Sequence, residues 1–348
     1  MNEHFRHIRR IRRIVIVRLS ALGDVLHAVP MAVALRASMP QAHIGWVVEG
    51  RFGEVLADHP AVDTVMTAPR GWLKSPSTIL RLRRELRAFS PDLVFDVQSL
   101  LKSAVAGWLS GAPVRVGFGA SQSREGSRLL HTHHVTSTSV HVVERNCELL
   151  RAIGIEAVAG GSTMPLWHAE QNRVDAWIRE QRHGSRFAVM NPGAGWPSKI
   201  WPAERFATVA DRLFHSSGIR SVVVWGGNKE EAMAETICAA APTATIKAPR
   251  TSLRELGSLA RRAVVFISSD TGPLHLAAAI GTPCVGLFGP LPATRNGPWG
   301  VGHISIEALA ETQPAWHDRK TCMRSILGIS VDSVVAAVEQ ISSQIHAA

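Results

Sequence analysis

Short apolar runs of the kind that make buried strands alternate with helical patterns along the whole chain, and the alternation starts twice. The first series predicts strands at Ile14–Val17, Ile44–Val48, Thr64–Met66 and Leu93–Asp96, with a weaker one at Arg115–Phe118. Between them, residues 77–89 read as an amphipathic helix with Leu80, Leu86 and Phe89 near one face, ended by Pro91. A polar stretch over 160–186, which reads as a helix or a linker between domains, interrupts the pattern, which then restarts. The second series predicts strands at Phe187–Met190, Ser221–Trp225, Ala263–Ile267 and Cys284–Phe288, a helix with Pro202 at its first position, and a last helix over 331–345. Such alternation specifies βαβ units and parallel sheets. The fold class expected is therefore α/β, as two doubly wound, Rossmann-like domains in tandem with a cleft between them. The expected bounds are 1–165, a linker at 166–185, 186–330, and a C-terminal helix over 331–348, for which a return onto the N-terminal domain is one expectation. Ligands of doubly wound sheets sit at the carboxyl ends of strands, so chemistry is sought in the loops that follow them.

Composition narrows the function. The 348 residues suit two domains, and 46% hydrophobic content is ample for their cores. The four cysteines, Cys147, Cys238, Cys284 and Cys322, are scattered without metal-type spacing, which points to a reducing compartment and no structural zinc. No apolar run reaches the roughly 18 residues of a membrane span, and the basic N-terminus lacks a signal-peptide core, so a cytoplasmic protein is expected. The net charge of +10 fits nucleic acid, an anionic membrane surface or a polyanionic substrate. With 6% aromatic residues and no nucleic-acid motif, nucleic acid ranks last. The absence of tyrosine excludes the Tyr-x-x-x-Lys chemistry of short-chain dehydrogenases and sugar epimerases.

Three loops of the second half carry chemistry. In SSDTGPLH a strand hands over to a helix, and the amides around Thr271 and Gly272 point to an anion site backed by the helix dipole. Asp270 there suits either sugar hydroxyls or a helix N-cap. In NPGAGWPSK the glycines, Gly195 among them, permit close backbone approach, and Lys199 offers a point charge for a diphosphate. In WGGNKEE the acids fit a ribose diol or a helix's first turn. Together they suggest a nucleotide-diphospho-sugar site. With no Asp-x-Asp motif, a carboxylate-held divalent metal is not expected, and Lys199 and helix dipoles would stabilise the leaving diphosphate.

The first half supplies positive charge: Arg70 and Lys74 in PRGWLK, Lys102 after DVQSLL, Arg124 in SQSREGS, and His141 with Arg145 on one helical face. Individually these are solvated side chains; collectively they suit a polyanionic acceptor. LSALGDVLHAVP follows the first strand with a single Gly23-Asp24 pair where a dinucleotide loop would show several glycines. Gly23 would permit a tight turn that aims Asp24, and Pro30 implies a kink, or a short turn and then a restart.

LSALGDVLHAVP, WVVEGRF, DVQSLLKSA, HHVTSTSVHVVERNCELL, SKIWP, WGGNKEE and SSDTGPLHLAAAIGTP together resemble the bacterial heptosyltransferases, over most of the chain from residue 13. GDVLHAVP with DVQSLLKSA is most similar to the heptosyltransferase I branch. The resemblance implies the GT-B fold and an inverting, metal-independent transfer of heptose from ADP-heptose to a Kdo residue of Kdo2-lipid A, with no cofactor. It places the general base on Asp24 and the diphosphate lysine on Lys199. Glu230 becomes the ribose or adenine-side glutamate. Asp270, Thr271, Gly272 and His275 become sugar and phosphate contacts, and Arg70, Lys74, Lys102, Arg124 and Arg145 lie on the acceptor side. A lipid acceptor implies peripheral attachment to the inner leaflet, which the arginines at 6–13 suit. The loop before Lys199 departs from the family's pattern, having PGAGWPS where threonines are frequent, and the stretch around Arg70 is less basic than the family's. The alternatives are a later heptosyltransferase, another nucleotide-sugar enzyme such as a non-hydrolysing epimerase, and a basic membrane- or nucleic-acid-binding protein without activity.

Overall fold

Strand β1 (Arg13–Val17) is an apolar run because it is buried on both sides: Ile14, Val15, Ile16 and Val17 are wholly inaccessible. It lies in a computed structural model that describes residues 11–157, 160, 164–181, 186–308, 320 and 324–347. The chain divides into two units, 1–165 and 166–348.

In the first unit β1 pairs in parallel with β2 (His43–Glu49) and β4 (Leu93–Asp96). Outward from these lie β3 (Thr64–Ala68), β5 (Val114–Phe118) and β6 (His133–Val135), giving the all-parallel order β3-β2-β1-β4-β5-β6. Strand order reverses between β1 and β4, so the crevice of this sheet opens beyond Val17 and its partner Asp96. Helices α1 (Leu22–Leu26) and α2 (Val29–Ser38) follow β1, and Pro30 falls in the first turn of α2: the chain makes a short turn and restarts. Helices α3 (Pro76–Phe89) and α4 (Leu101–Leu109) cover one face through Leu82, Leu86, Phe89, Ala106 and Leu109. The buried stripe of α3 is Leu82, Leu86 and Phe89, at i, i+4 and i+7; Leu80, expected on it, lies on the other side and is 56% exposed. Helix α5 (Val142–Glu148) packs on α2, where the Asn146 amide donates to the His27 carbonyl at 3.0 Å.

The second unit repeats the plan. It has β7 (Phe187–Asn191), β8 (Arg220–Val223), β9 (Thr245–Lys247), β10 (Val265–Ser269), β11 (Cys284–Phe288) and β12 (Ile304–Glu307), ordered β12-β11-β10-β7-β8-β9. Counted from its own first strand this is the same 3-2-1-4-5-6 arrangement, with its switch point between β7 and β10, where Asn191 pairs with Ser268. Of the two readings of the polar stretch, helix or linker, the helix is observed, within this unit. Its helix α6 (His168–Glu180) packs on α9 (Leu253–Arg262), tied by Arg173–Glu255 at 2.9 Å and by Arg262–Asp175 at 2.5 Å. Helix α7 (Ala203–Ser217) starts one residue later than expected, with Pro202 at its cap, and shares a core with α8 (Asn228–Ala240). Helix α10 (Gly272–Ile280) follows β10; the short α11 (Ala293–Asn296) and α12 (Arg324–Leu327) lie before the last helix.

That helix, α13 (Val331–Ala347), packs on α7 within the second unit. The reason is its stripe of Val334, Val335, Val338 and Ile341, at i, i+1, i+4 and i+7, which fits beside Val209, Ala210 and Leu213. Each such side chain contributes about 1.5–3 kcal/mol on burial. The Trp201 indole N–H, donating to the Ile329 carbonyl at 3.1 Å, fixes the approach. Among the described residues no helix is long and apolar enough to cross a membrane.

Candidate active site

At the carboxyl end of β1 the chain runs through 18–21 into α1, whose third residue is Asp24. The carboxylate is held from two directions. Arg18 Nη2 meets Asp24 Oδ1 at 2.7 Å, and the Ala21 N–H donates to Oδ2 at 3.2 Å. The other Arg18 amino group donates to the Val97 carbonyl at 2.8 Å, so the cation is anchored before it orients the acid. Arg18 is buried, while the Asp24 side chain keeps 45% of its surface exposed: a fixed carboxylate open on one side. The loop itself is pinned by side chains from the segment after β4 and from α4. Gln98 Oε1 accepts from the Leu19 N–H at 2.8 Å, and Lys102 Nζ donates to Ser20 Oγ at 3.0 Å. Gly23 is a buried helical residue without a positive φ, so Arg18 and the Ala21 amide, rather than a glycine turn, set the aim of Asp24.

The basic residues of this unit divide into two kinds. Lys102 is engaged, donating to both Glu49 oxygens at 3.1 and 3.2 Å as well as to Ser20. Expected as an acceptor contact, it also braces the Asp24 loop, where the buried Glu49 carboxylate requires a cation. Arg145 lies half-buried with its guanidinium over the Phe118 ring at 5.6 Å. His141, expected beside it on a helical face, is the N-cap of α5, its Nδ1 accepting from the Val143 N–H at 3.2 Å. Arg70, Lys74 and Arg124 are exposed. They follow β3 and β5, on opposite sides of the β1–β4 crevice and at the same end of the sheet.

The second unit brings three loops together at its own switch point. Asn191, the last residue of β7, donates through its side-chain amide to the Gly193 carbonyl at 3.1 Å, to Ser268 Oγ at 3.0 Å and to Thr271 Oγ1 at 3.3 Å. One buried amide thus joins the loop after β7 to the loop after β10. Lys199 Nζ pairs with the Asp270 carboxylate and donates to the Asp270 carbonyl at 3.2 Å. His275, buried on α10, bonds the other Asp270 oxygen from Nε2 at 3.0 Å. Burial alone would raise the pKa of Asp270, but the His275 hydrogen bond and the Lys199 charge outweigh it and hold the acid well below the usual carboxylate range. Asp270 is therefore an anion shared by two partners and not a helix cap. The N-cap position of α10 belongs to Thr271, whose hydroxyl makes no capping bond and instead meets Ser268 and Asn191. The first turn of α10, from Gly272, keeps its amides and positive dipole end beside Lys199, which is an anion-binding arrangement.

Glu230, in the first turn of α8, accepts from the Gly226 N–H at 2.6 Å and folds over Gly193. A Cβ added at Gly193 would lie 2.5 Å from Glu230 Cδ. The glycine that the geometry demands is thus Gly193, whereas Gly195 stands in open space. Trp196 has two cations beside its ring, Lys199 Nζ at 4.8 Å and Lys320 Nζ at 5.6 Å from the ring centre. Arg18, Glu49, Gln98, Asn191 and Trp196 were not singled out from sequence. Only the asparagine had a local signal, standing at a strand end before Pro-Gly.

Comparison with known proteins agrees with this architecture. The model of glycosyltransferase family 9 (heptosyltransferase) matches residues 79–325. Lipopolysaccharide heptosyltransferase 1 of Pseudomonas aeruginosa is 30% identical over 322 residues, 89% of this chain and 87% of that protein. Lipopolysaccharide heptosyltransferase 3 of Escherichia coli is 26% identical over 327 residues, covering 92% and 96%. A glycosyltransferase family 9 structure from Veillonella parvula superposes with a TM-score of 0.85 at 24% identity, over 95% of this chain and 97% of that one. The E. coli heptosyltransferase WaaC with ADP gives 0.76 at 24% identity, over 94% and 99%. The two sheets are those of a GT-B fold, and the chain is a glycosyltransferase that belongs to glycosyltransferase family 9, the heptosyltransferases.

Proposed function

We propose that the protein transfers heptose from ADP-heptose to a Kdo residue of Kdo2-lipid A in the synthesis of the lipopolysaccharide core. The observation that carries this reading is the Lys199–Asp270–His275 cluster at the start of α10, with Glu230 over the loop after β7. A diphosphate suits Lys199 and the α10 amides, hydroxyls of a sugar suit Asp270, and a ribose suits Glu230. Gly195, Thr271 and Gly272 offer backbone and hydroxyl contacts to the same donor. The names of the relatives and the ADP in the E. coli structure support the donor and the pathway.

In the proposed reaction the Asp24 carboxylate takes the proton of an acceptor hydroxyl. The oxygen forms a bond to the anomeric carbon as the bond from that carbon to the ADP oxygen breaks. ADP leaves with the electron pair, its charge met by Lys199 and the helix start, and the single displacement inverts the anomeric centre. No metal or cofactor takes part. Arg70, Lys74 and Arg124 meet the acceptor's anionic groups, with Arg145 behind them. Work takes place on the cytoplasmic face of the inner membrane, peripherally. Of the basic N-terminal tail, Arg6, Arg9 and Arg10 lie outside the described residues, while Arg13 is structural, donating to the Phe89 carbonyl at 2.9 Å.

Mass-spectrometric detection of heptose transfer from ADP-heptose to defined acceptors tests the reading. Transfer to Kdo2-lipid A is expected, abolished by Asp24→Ala. Unchanged turnover in Asp24→Asn would remove the base assignment, and unchanged ADP-heptose kinetics in Lys199→Ala would remove the diphosphate contact. A later heptosyltransferase, acting on a heptose acceptor, is the second reading, favoured by the similarity to heptosyltransferase 3. Preference for an acceptor that already carries heptose would select it.

A further inference from the structure

Helices α3 and α4 lie side by side over one face of the first sheet, and the 127–130 turn packs against α4. Their outward surface is unusual for a sheet-covering layer. Helix α4 presents Leu101 and Trp108 at i and i+7, 45% and 54% exposed, with Val105 between them half-buried against the core. Leu80 on α3 and Leu129 in the turn are 56% and 86% exposed. Around this apolar strip the charge has one dominant sign. Arg81, Arg83 and Arg84 are exposed on α3, and Arg128 is exposed beside Leu129. The acids are occupied locally: Glu85 faces Arg81 at 3.8 Å, and Glu125 accepts from the Leu101 N–H at 3.2 Å. Arg87 Nε donates to the Leu109 carbonyl at 3.3 Å, which ties the basic helix to the residue next to Trp108.

We infer that this face docks on an anionic lipid surface. Apolar side chains with a tryptophan among them, bordered by arginines, match the boundary between acyl chains and phosphate headgroups. Each basic residue near such a surface strengthens binding roughly fivefold, and positive charge complements the anionic leaflet. The inference gives a location to the peripheral attachment proposed above and rests on that reading for the kind of partner. It does not depend on the N-terminal tail or on which sugar is transferred.

Flotation of the full chain with vesicles of phosphatidylethanolamine and phosphatidylglycerol, free of any acceptor, tests it. Binding is expected there and not to phosphatidylcholine vesicles, and it weakens as salt rises. Arg83→Glu with Arg84→Glu should weaken partitioning roughly tenfold or more, and Trp108→Ala with Leu129→Ser should also weaken it. Arg83→Lys with Arg84→Lys should retain it. All these positions are exposed, and circular dichroism should report an unchanged fold. Equal flotation of the wild type and these variants, or loss of flotation only when residues 2–10 are deleted, would overturn the inference. So would a dimer in sedimentation that Trp108→Ala dissociates, which would assign the face to a second copy. Transfer to detergent-dispersed acceptor is measured in parallel. Transfer without flotation removes the docking face and leaves the reaction standing; flotation without transfer does the reverse.

Discussion

Arg18 illustrates how much of the Asp24 site depends on a single guanidinium. Its fork reaches the Val97 carbonyl with one amino group and Asp24 with the other, so the acid inherits the rigidity of the β4 end. Arg18→Ala should lower kcat by roughly 10–100-fold, the loss expected when a reacting group is slightly misplaced, with little change in the donor KM. Arg18→Lys should recover only part, because an ammonium cannot reproduce the fork. A kcat loss accompanied by an equal rise in donor KM would contradict a role confined to Asp24. Across the other sheet, Gly193→Ala drives a methyl into Glu230 and should cost about 1–3 kcal/mol of stability together with ADP affinity in calorimetry. Gly195→Ala, with nothing within 4 Å, should leave the melting temperature unchanged. Asp24, Lys199, Glu230 and Asp270 could be singled out because each follows closely on an apolar strand, Asp24 and Glu230 in the first turn of the next helix. Arg18 and the Glu49–Lys102 pair were not, because the partners are 79 and 53 residues apart and meet only through strand order.

Elements were legible in proportion to their burial. β1, β4, β7 and β11 are buried at nearly every position and read as apolar runs. β6, β9 and β12 went unread: they are the short sequences HHV, TIK and ISIE, at sheet edges, where the neighbouring ladder and not hydrophobicity holds the strand. β10 runs two residues further than expected because Ser268 and Ser269 are buried within it, Ser268 satisfied by Asn191 and Thr271. The end of α5 carries a pH response. Burial raises the pKa of Glu148, but hydrogen bonds from the Ser139 hydroxyl and from the Thr138 hydroxyl and N–H, with the Arg151 charge, hold it below the ordinary value. Asp63 and Asp270 are lowered likewise. A carboxyl with a depressed folded pKa binds protons more readily when unfolded, so its stabilisation is present above the unfolded pKa of about 4 and is lost as pH falls below it. The melting temperature should drop on acidification from about pH 5 to pH 3. Glu148→Gln should lower it at neutral pH and flatten that slope; an unaltered slope would show that the α5 acid does not contribute.

On the scale of the whole molecule, one topology is used twice, each copy with its own sheet and core. The C-terminal helix belongs to the second core, so its loss should be felt there. Ile341→Ala should cost about 2–5 kcal/mol, and hydrogen exchange should accelerate in β7, β10, β11 and α7 while β1 and β4 keep their protection. Acceleration in both sheets would mean that the two cores unfold as one. The repeat also explains why fold class was legible when site geometry was not: alternation specifies parallel sheets, whereas the reversal of strand order decides which loops become neighbours.

Trp196, with the ammonium groups of Lys199 and Lys320 beside its ring, has an optical consequence. An indole's emission responds to the field of nearby charge, and one of these charges, Lys199, is the cation proposed to meet the donor's diphosphate. Occupancy of the site redistributes positive charge around the ring, so this side chain is a native fluorophore for titrating nucleotide without a label. ADP should shift the emission of the wild type, and Trp196→Phe should abolish that shift while the other nine tryptophans continue to report the folded state.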